Sequence, residues 1–173
     1  MKRILKYIVL VVVATILGYI ALKIHSGVSL KKEIEKSREV IPFHCFYTLN
    51  EKHPDFKGTK KRDSYVLVFF SPGCDHCEYE IESIIHKADS FNNVIIFLVS
   101  DQPVKNLKAI SEQYELQKYP QIEILYGDYE CTKSVYGIIM FPTTFIYDRD
   151  FRLTKIFRGE TSASAILKAS GKR

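Results

Sequence analysis

The sequence predicts an α/β fold, a mixed central sheet flanked by helices, carried behind one apolar N-terminal helix. Three observations lead there. Tyr65 to Phe70 and Val94 to Val99 are continuous β-branched, aromatic and aliphatic runs, the pattern of strands covered on both faces. Segments of helical period separate these runs, which implies crossover connections and parallel pairing. Near the C-terminus two further strand-like runs are joined only by Asp148-Arg149-Asp150, which implies an antiparallel hairpin.

The 173 residues are 46% hydrophobic and 26% charged, an ordinary composition for one folded domain with an appendage. No repeat or low-complexity tract suggests a solenoid or a disordered chain. The net charge of +5 is spread among interleaved acids and bases. The densest basic stretch, Lys57 to Arg62, lacks an aromatic platform and reads as a solvated loop, so no nucleic-acid partner is expected.

The appendage comes first. Ile4 to Ile24 is almost wholly apolar, interrupted only by Lys6 and Lys23 near its edges, and as a helix it would span roughly 30 Å, about a bilayer core. Lys2, Arg3 and Lys6 place Met1 on the cytoplasmic side. A retained signal anchor over 1–25 is the favoured expectation. A cleaved signal peptide is the alternative, against which stand the length of the run and the lack of a small-x-small cleavage pattern. A buried soluble helix is a third reading. No cysteine stands close enough for lipidation. The expected location is the cytoplasmic (inner) membrane, single-pass, with the C-terminal domain on the periplasmic side.

Residues 26–40 follow as a polar juxtamembrane stalk, with Leu30 and Ile34 on one side and mixed charges on the other. Pro42 closes it, and the folded domain is expected over 41–173. Within that domain Phe43 to Leu49 predicts a strand. After the Tyr65–Phe70 strand, Ser71-Pro72-Gly73 breaks the chain and a helix is expected over about 75–88. Strand Val94–Val99 precedes a helix near 103–114, opened by Pro103. Ile122 to Tyr126 predicts a strand and Cys131 to Tyr136 a short helix. Thr143–Tyr147 and Phe151–Arg158 form the hairpin, and a last helix over 161–169 has serine or threonine available as its cap.

The chemistry concentrates in Cys74-Asp75-His76-Cys77. A Cys-x-x-Cys pair that leaves a buried strand and opens a helix places Cys74 at the helix N-terminus, where unpaired N–H groups and the helix dipole stabilise a negative sulfur. Cys77, three residues on, faces the same side and can resolve a mixed disulfide formed on Cys74. His76 would favour the thiolate and make the disulfide more oxidising, and Asp75 acts in the opposite sense. A zinc half-site is the competing reading, but no second Cys-x-x-Cys or spaced histidine pair completes it. A structural disulfide is the other, though closing so short a loop constrains little of the unfolded chain.

Phe141-Pro142 ahead of Thr143 is the second landmark. A proline there can mark the start of a strand, or form a cis bond that sets the Phe141 backbone beside the sulfurs and offers a client chain an edge to pair with. Cys45 and Cys131 can pair in an oxidising compartment or remain buried thiols. His44, His53 and His86 show no ligand spacing. Ser71-x-x-Cys74 is similar to a peroxidatic cysteine motif whose upstream proline is missing.

Together these pieces resemble the thioredoxin superfamily, in particular the membrane-anchored TlpA-like and ResA-like thiol–disulfide oxidoreductases. The opening PFHCFYTLNEK, the strand and turn VLVFFSPGCDHC, the element SVYGIIMFPTTFIYDRD and the closing strand with Gly159 carry the resemblance. It implies Cys74 and Cys77 as the active pair, Pro142 as the cis-proline, and Glu80 as a carboxylate near the pair that could move thiol protons. It also implies protein thiol and disulfide substrates and a membrane electron donor. Three departures stand out: Gly73 where the family has tryptophan, Glu82 where it has proline, and Val68 where thioredoxin itself has a buried aspartate.

The reading is thus a membrane-tethered, extracytoplasmic thiol–disulfide oxidoreductase working in the reducing direction, the oxidising direction being the alternative that His76 leaves open, with no metal and no cofactor beyond the Cys74–Cys77 disulfide. A copper- or zinc-binding metallochaperone and a redox-inert interaction domain built around Phe141 are the competing classes.

Overall fold

The fully buried runs at the centre of the sequence do form the centre of a sheet. In the computed structural model, which describes residues 2–54, 62–138 and 140–171, a long helix α1 (Lys2–Ser37) is followed by six strands and four further helices. The strands are β1 (Phe46–Thr48), β2 (Ser64–Phe69), β3 (Val94–Ser100), β4 (Ile122–Gly127), β5 (Thr143–Asp148) and β6 (Leu153–Arg158). The remaining helices are α2 (Asp75–His86), α3 (Val104–Gln113), α4 (Tyr129–Tyr136) and α5 (Ala163–Ala169).

The chain divides into two compact units, Met1–Lys36 and Ser37–Arg173. In the first, the described apolar side chains, among them Val12, Ile16, Leu17, Ile20, Leu22 and Ile24, are exposed. Among the described residues no helix is long and apolar enough to cross a membrane. The expected anchor Ile4–Ile24 falls partly outside those residues, since the side chains at 4–6 and 8–11 are not described. The basic stretch Lys57–Lys61 lies outside them as well.

In the second unit the six strands form one sheet in the order β1-β4-β3-β2-β5-β6. Strands β2, β3 and β4 run parallel, and β5, β6 and β1 pair antiparallel to their neighbours. Every residue of β2 and β3 is buried. Alternation along β2 divides the core: Val66 and Val68, with Phe70 just beyond, face the side that α2, α3 and α5 cover with Ile81, Ile84, Leu107 and Ile166. Tyr65, Leu67 and Phe69 face the other side, where Phe46, Tyr136 and Phe145 pack. Helix α4 can approach β3 and β4 this closely because of Gly127, where a Cβ would lie 2.8 Å from Val99 Cγ1.

Several expected boundaries move, each for a local reason. The strand expected over 43–49 is a short 3-10 turn, Phe43–Cys45, before the three-residue β1. Helix α4 begins two residues earlier than expected because Asp128 caps it, its Oδ1 accepting from Cys131 N at 2.8 Å. The last helix starts at Ala163, not 161, with the Ser162 side chain accepting from Ala165 N. The pairing left open for Cys45 and Cys131 is a disulfide, separation 86, that ties the chain ahead of β1 to α4.

So long a closed loop makes this bond an effective constraint on the unfolded chain. Removing it in a Cys45→Ala, Cys131→Ala variant is expected to lower the unfolding free energy by about 2–4 kcal/mol. Urea denaturation under oxidising conditions measures this directly; unchanged stability would show that the bond constrains nothing.

Candidate active site

Strand β2 feeds the site. Phe70 N donates to Val99 O at 3.0 Å, the last bond before the chain leaves the sheet, and Cys74 N donates to Ser71 O at 3.3 Å to close a turn. Gly73 adopts φ +74 within it. That left-handed conformation, rather than crowding, suits a glycine where the related proteins place tryptophan, since nothing lies within 4 Å of a Cβ built there. Cys74 is the N-cap of α2, and its carbonyl accepts from Cys77 N at 2.8 Å and Glu78 N at 3.0 Å.

The two sulfurs are free thiols in unlike surroundings, Cys74 part-exposed and Cys77 fully buried. Burial pushes the Cys77 thiol up to about 12, and the adjacent Cys74 thiol adds to the effect. Cys77 therefore stays protonated until something takes its proton. In thiol exchange such an inequality suits the accessible sulfur to attack and the buried one to resolve.

Glu80 lies on the same stripe of α2 as Cys77, and the stripe is buried at 77, 80, 81 and 84. Its side chain is wholly buried. Oε1 accepts from Thr144 Oγ1 at 2.6 Å and Oε2 from Thr161 N at 2.8 Å. Burial raises the carboxyl to about 7, overcoming both hydrogen bonds, and the nearby Glu160 charge raises it further. A carboxylate with that value is matched to accepting a proton near neutrality. The spacing 77-80-81-84 is itself the sequence signal that Glu80 belongs inside.

Asp75 and His76 occupy the first turn of α2, both exposed. His76 Nδ1 donates to Glu160 Oε2 at 2.7 Å. Glu160 was not anticipated from the sequence, and a partner 84 positions away leaves no local signal.

Phe141-Pro142 is a cis peptide bond. The register of β2 with β5 pairs Phe69 with Thr143, so Pro142 sits at the sheet end from which Ser71–Cys74 departs. The Phe141 side chain is exposed and lines a cleft of about 240 Å³ together with Phe69, Val99 and Ile138, with Asp101 and Lys133 also at its wall.

Among the described residues, one group could hold a metal: His44, Cys45 and Cys131. Its two sulfurs are bonded to each other, so neither offers a thiolate. It is also a separate group from the Cys74–Cys77 pair.

A family model described as the AhpC/TSA family matches residues 42–156. No curated protein matches the chain. Among solved structures, a thiol:disulfide interchange protein of the thioredoxin family from Chlorobium tepidum is 17% identical with a TM-score of 0.59, over 72% of this chain and 88% of that one. StoA from Bacillus subtilis is 17% identical with a TM-score of 0.55, over 73% and 94%. A peroxiredoxin-like protein from Aquifex aeolicus is 14% identical with a TM-score of 0.58, over 72% and 80%. At such identities these likenesses establish the shared thioredoxin-like fold.

The raised Glu80 carboxyl has a stability consequence. The unfolded chain ionises this group from about 4.5 and the folded one only near 7, so folding stability falls as pH rises through that window. The fall is expected to be of the order of 3 kcal/mol at most, and Glu80→Gln should remove it. Urea unfolding of wild type and variant at pH 4.5 and pH 8 tests this; parallel pH dependence in both would contradict the assignment.

Proposed function

The chain belongs to the AhpC/TSA family and carries a thioredoxin-like redoxin domain, and on that premise we propose that it is a thiol–disulfide oxidoreductase acting on protein disulfides. The observation that carries the proposal is the asymmetry of the pair: an accessible Cys74 at a helix N-terminus over a buried Cys77 that holds its proton beside a buried carboxylate.

In the reducing direction the Cys74 thiolate attacks one sulfur of a client disulfide. A Cys74–client disulfide forms, and the released client sulfur leaves as a thiolate that takes up a proton. Glu80 accepts the Cys77 proton, and the resulting thiolate attacks Cys74. The Cys74–Cys77 disulfide forms and the second client sulfur leaves reduced. Two electrons pass from the dithiol to the client, and a membrane-borne dithiol donor restores the pair. The cleft beside Phe141 and the backbone ahead of Pro142 form the platform for the client chain.

The domain works outside the cytoplasm, held to the inner membrane by α1. Supporting this are the apolar run at 4–24, the basic residues before it and the exposed apolar side chains along the described part of the helix. Full-length protein in bacterial membranes should resist alkaline carbonate extraction and lose its C-terminal domain to protease only once the periplasm is opened. Release by carbonate would overturn the anchor.

For the chemistry, the full chain equilibrated in dithiothreitol buffers should interconvert between dithiol and disulfide at Cys74 and Cys77. A Cys77→Ser variant should accumulate mixed disulfides through Cys74. Glu80→Gln should slow the closing step at neutral pH by on the order of 10²-fold. A wild-type pair that never cycles would sink the redox reading.

A further inference from the structure

Three consecutive residues between β6 and α5 touch three separate parts of the thiol site. Gly159 N donates to the Pro142 carbonyl at 2.9 Å. The Glu160 carboxylate accepts from His76 Nδ1 at 2.7 Å. Thr161 N donates to Glu80 Oε2 at 2.8 Å. One short strap thereby joins the cis-proline loop, the dipeptide between the cysteines and the buried carboxylate.

The strap is fixed at both ends. Gly159 takes φ +82, which lets the chain turn back toward Pro142 as it leaves the sheet. Thr161 Oγ1 donates to Gly159 O at 3.2 Å, and Ala163 N donates to Ser83 Oγ at 3.2 Å, binding the start of α5 to α2. Glu160 is held between two anchored neighbours. Its carboxylate is about half as exposed as the ring it binds, 38% against 74%. The imidazole is thus brought to a fixed acceptor.

We propose that Glu160 is a positioning residue of the thiol site, acting on the Cys74–Cys77 pair through the His76 ring and on Glu80 through space. The inference rests on the redox reading of that pair. Donation from Nδ1 to a carboxylate sets the ring's orientation and leaves Nε2 as the atom that gains or loses a proton. The carboxylate and the ring it holds thus meet the dithiol as one unit, whose net charge becomes more positive when Glu160 is neutralised. A more positive neighbour favours the thiolate and so favours the reduced pair.

The second effect runs through Glu80. The groups facing it are Cys77 on α2, the Thr144 hydroxyl on β5, and Thr161 and Glu160 on the strap. Of these only Glu160 adds a fixed negative charge at neutral pH, and that charge opposes ionisation of Glu80. Without it Glu80 ionises at lower pH, and the closing step that needs its carboxylate form moves with it.

The test uses the full chain as wild type, Glu160→Gln, His76→Ala and the double variant, equilibrated with dithiothreitol. Glu160→Gln is expected to shift the thiol–disulfide equilibrium severalfold toward the reduced pair at pH 7. It should also move the pH profile of Cys74–Cys77 closure to lower pH. In the His76→Ala background the equilibrium shift should change in size, the coupling that marks a route through the ring, while the pH-profile shift remains. Glu160→Asp, which keeps the charge, should restore part of the wild-type profile. Wild-type values in Glu160→Gln, or an equilibrium shift of the same size with and without His76, would overturn the proposal. A wild-type pair that fails to cycle would overturn the redox reading beneath it, and this inference with it.

Discussion

The register of β2 between β3 and β5 is the constraint on which the rest of the domain depends. Phe69 lies opposite Val99 on one side and Thr143 on the other. That alignment brings the exit of β2 and the entrance of β5 to one end of the sheet, which is why Cys74 and Pro142 share it. A slip of one residue would exchange the two faces of β2, sending Val66 and Val68 toward α4 and Phe69 toward α2. Both faces are buried, so register is specified twice, once by each half of the core. The chemistry inherits its precision from hydrophobic packing several residues away.

Glu80 shows the opposite trade. A carboxyl at a position suited to isoleucine is costly to ionise, and its two hydrogen bonds do not recover what burial takes. Thr144 and Thr161 nevertheless give each oxygen a donor, so the ionised form has a partner at both oxygens. The result is a carboxyl that is stable as an acid below neutrality and available as a base above it. A solvated glutamate would be ionised throughout and too weak a base to matter to a thiol as reluctant as Cys77. The instability is concentrated on the residue proposed to use it.

What the sequence disclosed and what it withheld divide along the distance between partners. The strands β2 and β3, the start of α2 at Cys74 and the proline turn at Pro142 are all written in runs of fewer than ten residues, where periodicity and turn chemistry act locally. Glu80 came only from the family resemblance, with a solvated helix residue as its alternative; its burial on the 77-80-81-84 stripe is what the structure adds. His76 with Glu160, and Cys45 with Cys131, could not be read in this way. Each pairs residues more than eighty positions apart, and only the sheet order brings them together. The short β1 belongs with these: Phe43–Leu49 has a strand's composition, yet Pro42 and the turn at Phe43–Cys45 leave only three residues to pair with β4.

The two cysteine pairs of this domain make the same bond available for unlike ends. Cys45–Cys131 encloses β1, β2, α2, β3, α3 and β4, so breaking it returns a large conformational space to the unfolded chain, and one of its sulfurs is fully buried. Cys74 and Cys77 enclose two residues inside a helical turn that backbone hydrogen bonds hold with the sulfurs unjoined. Opening that bond releases almost no chain entropy, so its free energy is left to the local electrostatics of the helix end, His76, Glu160 and Glu80. Loop length thus separates the disulfide that constrains the fold from the pair proposed to exchange, and the local electrostatics of the thiols act on the second alone.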